Sequence, residues 1–119
     1  MRAIRGATSV DQNSPEAIHQ AVAELVRAVC EQNAIAPADI VSAIFTLTPD
    51  LTAAFPAKAA RLQGWTQVPM ICAQEIPVPG APQRICRLLV HVHGRSSVKH
   101  VYLKEARVLR PDLESQESP

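Results

Sequence analysis

Aromatic residues are scarce in this chain, at 3% of 119 residues, and its charges nearly cancel, leaving a net charge of +1. Nucleic-acid binders need a basic field and stacking rings, so that class of partner is set aside. No apolar run approaches the length of a membrane span, and the opening MRAIRGATSV places Arg2 and Arg5 where a secretory signal would carry its apolar stretch. A soluble cytoplasmic protein with no membrane partner is expected. Cysteine is sparse too: Cys30, Cys72 and Cys86 are odd in number and widely spaced, which argues against a disulfide framework and for reduced thiols. Glycine and proline are not dense enough for a disordered chain, and no internal repeat or interdomain linker interrupts the sequence. What the chain has in quantity is apolar side chain, 47% against 19% charged, enough for one domain with a real core over residues 1–119.

RAIRGATSV reads as a short strand with Ala3, Arg5 and Ala7 on one face and Ile4 on the other, broken by Asp11, Gln12 and Asn13. Ser14 then has the position of an N-cap, Pro15 that of the first helical residue, and Glu16 supplies an acid in the first turn. Ile18, Val22, Leu25 and Val29 follow at helical spacing, so an amphipathic helix runs to about Asn33. IVSAIFTLT alternates Val41, Ala43, Phe45 and Leu47 with Ile40, Ser42, Ile44 and Thr46, which predicts a central strand buried on both faces. A shorter helix follows, started by Pro56 and stopped by Gly64, with Lys58 and Arg61 on one face.

VPMICAQEI supplies the next strand, PVPGAP a rigid turn, and QRICRLLVHVHG a strand with Cys86, Leu88, Val90 and Val92 on one side and Arg87, Leu89, His91 and His93 on the other. VYLKEARVL reads as a final strand with Tyr102, Lys104, Ala106 and Val108 on one side, and residues 111–119 as a loose, flexible tail. This order predicts an α+β fold, a mixed sheet of about five strands with two helices packed on one face.

Arg5, Glu75 and Arg87 each fall within or at the end of an apolar strand. Buried unpaired charges are costly, so each must reach water, a partner or a ligand. A salt bridge from Glu75 to one arginine, with the other exposed, would satisfy them structurally. Lys58 and Arg61 add cations that one carboxylate does not neutralise, and such an excess in a concave site favours an anionic ligand. No Cys/His or Ser/His/Asp grouping demands a nucleophile.

IRGATSV, TPDLTAAFPAKAAR, VPMICAQEI, PGAPQRICRLLVH and HVYLKEARVLRPDL, in that order over nearly the whole chain, resemble the monofunctional chorismate mutases of the trimeric α/β-barrel class. The resemblance implies a homotrimer with active sites between subunits and the rearrangement of chorismate to prephenate, on the route to phenylalanine and tyrosine. It implies no cofactor and no covalent intermediate. By the same resemblance Arg87 is the cation at the ether oxygen, Glu75 bonds the ring hydroxyl, Arg5 clamps a carboxylate and Tyr102 contacts one through its phenol. Ile71, Cys72, Ala73 and Gln74 would line the pocket, as would Leu109, while Phe55, Ala57, Lys58 and Arg61 of the FPAKAAR motif would come from the neighbouring subunit.

Two features depart from easy transfer. Alternation puts Cys72 and Glu75 on opposite faces, so both can line one pocket only if the strand bulges or ends between them, and such an irregularity is predicted. The family usually reads Cys-Ile-Arg where this chain has Ile85-Cys86-Arg87, so Cys86 faces away and is left out of the site. Three other readings compete: a metal held by His91 and His93, a trimeric imine-deaminase-like or small-carboxylate-binding protein built around Arg87, and a salt-bridged scaffold without activity.

Overall fold

Ser14 starts the longest helix by the chemistry its side chain offers. Extended at φ −140°, it accepts the Ala17 N–H on Oγ at 3.1 Å, and Pro15 follows at the first helical position. The computed structural model describes residues 1–109, and in it this helix, α1, spans Pro15–Asn33. Ile18, Ala21, Val22, Leu25, Val26 and Val29 are buried along one stripe. Burying each larger side chain of that stripe contributes roughly 1.5–3 kcal/mol relative to exposure. The helix closes through Ala34 in the left-handed region, φ 52°, with the Ile35 N–H donated to the Cys30 carbonyl at 3.0 Å.

The strands are β1 (Arg2–Ser9), β2 (Ile40–Leu47), β3 (Met70–Gln74), β4 (Ile85–Val92) and β5 (Val101–Tyr102), with the second helix, α2, at Pro56–Leu62. They form one mixed sheet in the order β3-β2-β4-β1-β5. β4 runs antiparallel to both its neighbours, β1 and β2, while β3 and β5 add to the outer edges in parallel. Ile4, Ala43, Phe45, Leu47, Cys86, Leu88, Val90 and Val92 meet the α1 stripe in a single core. Gly6 belongs to that face as well. A Cβ there would lie 3.2 Å from Leu25 Cδ1 and 3.4 Å from Val29 Cγ2, so the missing side chain sets how closely α1 approaches β1. α2 joins the same side through Ala59 and Ala60, as does Trp65 just past its end, whose ring lies 6.4 Å from that of Phe45.

Two elements differ from simple alternation. A bulge between Ile40 and Ser42 in the pairing with β4 places Ile40 in the core with Ala43 and leaves Val41 39% exposed, where alternation groups Val41 with Ala43 and predicts both faces buried. The second face of β2, with Ser42, Ile44 and Thr46, is half-buried rather than covered, because the helices lie on the other side and β4 holds the centre. The last strand is also shorter than predicted. Lys104 turns at φ 52° and Lys104–Leu109 form a 3-10 helix. Its turn brings Ala106 and Leu109, three residues apart, onto Ala7, Ile85 and Tyr102, a contact that an extended chain with Lys104 and Ala106 on one side would not make. The expected loose tail over residues 111–119 lies outside the described residues.

Replacing Ser14 by Ala removes the one side-chain cap of α1. Equilibrium urea unfolding should show a loss of about 1 kcal/mol; an unchanged midpoint would contradict the capping role.

Candidate active site

The charges lie on the sheet face that the helices leave open. Arg87 is in the middle of the central strand, opposite Ala7 on β1 and Thr46 on β2. Glu75 directly follows β3, and its N–H donates to the Leu47 carbonyl at 2.8 Å. That bond carries the β2–β3 ladder one residue further, so alternation aims Glu75 at the face shared by Thr46 and Arg87. Arg87 Nε lies 3.4 Å from Glu75 Oε2, and Thr46 Oγ1 donates to the same oxygen. With the Glu75 side chain 20% exposed and that of Arg87 49% exposed, this pair adds little to stability. Its effect is geometric: the carboxylate engages Nε and leaves the terminal N–H donors of the guanidinium for another partner.

Arg5 from β1 and Tyr102 from β5 join this pair around one cavity of about 360 Å³, whose apolar wall is Ala7, Ile44 and Leu89. A larger cavity, about 620 Å³, lies under the loop from Ile76 to Gln83 and also reaches Glu75 and Arg87. It adds Asp50 and no further cation, so the smaller one has the more positive lining and suits an anion better. Two guanidinium groups, one carboxylate, one phenol and an apolar wall suit a small organic anion carrying both polar and ring surface.

The other residues expected at the site stand elsewhere on this chain. Phe55 is 73% exposed and, with Cys72, Ala73 and Gln74, borders a separate cavity of about 350 Å³ at the β3 edge. Ile71 is exposed on the Glu75 side of β3, Lys58 and Arg61 are exposed on α2, and Ala57 is buried. Leu109 is half-buried beside Tyr102. Among the described residues neither Lys58 nor Arg61 forms a salt bridge.

Of the bulge or strand end expected between Cys72 and Glu75, there is no bulge, and the strand ends at Gln74 without changing the alternation. The ladder stays in register from Met70 through Gln74 and the Glu75 N–H extends it, so Cys72 packs against the helix-side core and does not line the cavity of Glu75. Sequence reasoning missed the apolar wall of Ala7, Ile44 and Leu89 and, among the polar residues of the site, Thr46. Alternation along β2 marks its face, yet its place beside Glu75 and Arg87 depends on strand order, which one strand's pattern does not carry. His91 Nδ1 lies 3.3 Å from Ser42 Oγ, and among the described residues no three His, Cys, Asp or Glu side chains converge on a metal position.

Comparison with known proteins is consistent across its length. The family model for chorismate mutase type I matches residues 1–113. The chorismate mutase AroH of Thermus thermophilus is 49% identical over 119 residues, covering 97% of this chain and 98% of that protein. The AroH chorismate mutase of Bacillus subtilis strain 168 is 42% identical over 117 residues, covering 95% and 92%. The chorismate mutase structure from Clostridium thermocellum superposes with a TM-score of 0.88 at 43% identity, covering 91% of this chain and 99% of that one. The chain belongs to the chorismate mutase type I family.

In this chorismate mutase family member Cys86 sits one residue before the central arginine but on the core side, fully buried. Burial pushes its thiol well above the ordinary thiol range, and the nearby Cys72 and Glu75 add to the rise. The Cys30 thiol is raised by burial as well, a rise that its hydrogen bond with Trp65 opposes. A raised pKa leaves less of the reactive thiolate at any given pH. Iodoacetamide treatment followed by mass spectrometry should therefore leave Cys86 unmodified in the folded protein and modified in urea. Labelling in the folded state would contradict its burial.

Proposed function

We propose that this protein is an isomerase that converts chorismate to prephenate by a pericyclic rearrangement in aromatic amino acid biosynthesis. The convergence of Arg5, Glu75, Arg87 and Tyr102 on one cavity is the observation that carries this reading. The reaction breaks an ether bond as a new carbon–carbon bond forms, with no proton transfer to or from the protein. What it needs is a folded dicarboxylate and a positive group where negative charge develops on the ether oxygen.

Arg87 supplies that group through the terminal donors that Glu75 leaves unengaged. A guanidinium suits the task because its charge and its fork of donors are fixed in one plane, whereas a lysine ammonium is a flexible point charge. Glu75 accepts the ring hydroxyl of the substrate, with Thr46 steadying the carboxylate. Arg5 clamps a substrate carboxylate and the Tyr102 phenol contacts it. The apolar wall of Ala7, Ile44 and Leu89 limits water at the ring, and no resident cofactor is called for.

The working assembly is a homotrimer. Phe55, Lys58, Arg61 and the Cys72–Gln74 edge are exposed or line the separate β3-edge cavity and do not line the cavity of Arg5, Glu75 and Arg87 on their own chain, which supports this reading. A neighbouring subunit that sets this edge against Arg5, Glu75 and Arg87 adds two cations for the second carboxylate and closes the pocket with Phe55. The exposed apolar side chains Phe55, Leu62, Ile71 and Ile76 are surface that such an interface would cover. The three free thiols fit a cytoplasmic setting.

Chorismate loss followed by its ultraviolet absorbance, with prephenate identified as product, tests the reaction. Arg87→Ala should lower kcat by about a hundredfold to a thousandfold while the fold is retained; a variant that keeps its rate would remove Arg87 from the chemistry. Subunit sharing has its own test. Arg87→Ala chains mixed with chains carrying Lys58→Ala and Arg61→Ala should recover about one quarter of the wild-type activity, since a random trimer joins two intact half-sites at one interface in four. Absence of recovery would place each site within one chain.

A further inference from the structure

We infer that His100 is a positioning residue for Arg5: its imidazole Nδ1 takes the Arg5 N–H where the β1–β5 ladder stops, and so sets Arg5 and Tyr102 at a fixed separation. This rests on the reading that Arg5 clamps a substrate carboxylate.

β5 pairs with β1 at two positions only, Gly6 with Val101 and Ala7 with Tyr102. The Leu103 N–H donates to the Ala7 carbonyl at 2.9 Å, the slanted pattern of a parallel pair. Continued by the same rule, the ladder would give the Arg5 N–H to the carbonyl of Lys99. The chain turns away first. The Lys99 N–H donates to Asn33 Oδ1 at 2.7 Å, and its carbonyl accepts from Asn33 Nδ2 at 3.0 Å. Asn33, the last residue of α1, thus holds Lys99 at the helix end, and its Nδ2 donates to the Val29 carbonyl at 2.9 Å as well. The Arg5 N–H is met by His100 Nδ1 at 3.0 Å instead. The ring replaces a backbone carbonyl.

Two consequences follow for the site. Acceptance at Nδ1 requires an unprotonated Nδ1, so the neutral ring carries its proton on Nε2. Tyr102 stands two residues after His100, so one short segment both fastens the Arg5 backbone and delivers the phenol to the same cavity. Without the acceptor, the separation of Arg5 and Tyr102 is set only by the two pairs that follow. Arg87 is held by ladders to β1 and β2 and is unaffected. Loss of the His100 acceptor should therefore weaken substrate binding more than the chemical step.

The test combines a spectrum and a kinetic cycle. Long-range proton–nitrogen NMR of the wild-type protein at mildly alkaline pH should show His100 in the Nε2–H form, and an Nδ1–H form would overturn the proposal whatever the variants do. His100→Phe, which keeps ring volume and removes the acceptor, should raise KM for chorismate about threefold to tenfold with kcat little changed. His100→Asn, which offers an amide oxygen, should recover most of that loss. In an Arg5→Ala background His100→Phe should add little, because residues acting through one another are not additive. Full additivity, or wild-type kinetics in His100→Phe beside a damaged Arg5→Ala, would overturn the positioning role alone. Wild-type kinetics in Arg5→Ala would overturn the clamp, and the positioning role with it.

Discussion

A guanidinium in the middle of the central strand is the constraint on which the structure turns. Strands flank Arg87 on both sides, so its side chain can leave the sheet only through one face, and a helix laid over that face would bury a charge at a cost of several kcal/mol. Both helices therefore pack on the opposite face, where Cys86, Leu88, Val90 and Val92 continue the α1 stripe. The short 3-10 helix covers only the end of the open face, over Ala7 and Ile85. What remains between is a shallow, positively charged basin with one carboxylate in it.

That carboxylate bears on the competing readings. A salt-bridged scaffold requires Glu75 on one arginine and the other exposed, and the chain has that arrangement, with Glu75 on Arg87 and Arg5 exposed. A half-exposed pair contributes little stability, however, and Glu75 is also engaged by Thr46 within a cavity that holds the second arginine. The pair is better understood as orienting Arg87 than as fastening the sheet. Membership in the chorismate mutase type I family leaves the deaminase-like reading without separate support. The two-histidine reading loses its geometry, since His91 is engaged with Ser42 and His93 lies past the end of β4.

Much of the fold was legible because local chemistry and long-range packing agree along most of the chain. Ser14 and Pro15 announce α1, Pro56 and Gly64 bracket α2, and alternation in residues 85–92 marks the two faces of β4. Legibility ended where tertiary contacts decide. Val41 and Ile40 exchange faces because β2 bulges against β4, and Lys104 leaves the strand because Ala106 gains a buried place by turning. Arg5, Glu75 and Arg87 stood out as charges among apolar neighbours. Thr46 did not, since a threonine is ordinary in a strand and only the order β3-β2-β4 sets it beside Glu75 and Arg87.

The sheet face that exposes Arg87 gathers only part of the proposed site on one chain. One chain brings Arg5, Arg87, Glu75 and Tyr102 together, and presents Lys58 and Arg61 on α2, away from them. A crystal structure with a stable bicyclic dicarboxylate ether that mimics the transition state is the most direct measurement of the account. The ether oxygen should lie within hydrogen-bond distance of the Arg87 terminal nitrogens, with the carboxylates met by Arg5 and by Lys58 or Arg61 of an adjacent subunit. An ether oxygen placed away from Arg87, or an analogue enclosed by a single chain, would contradict it.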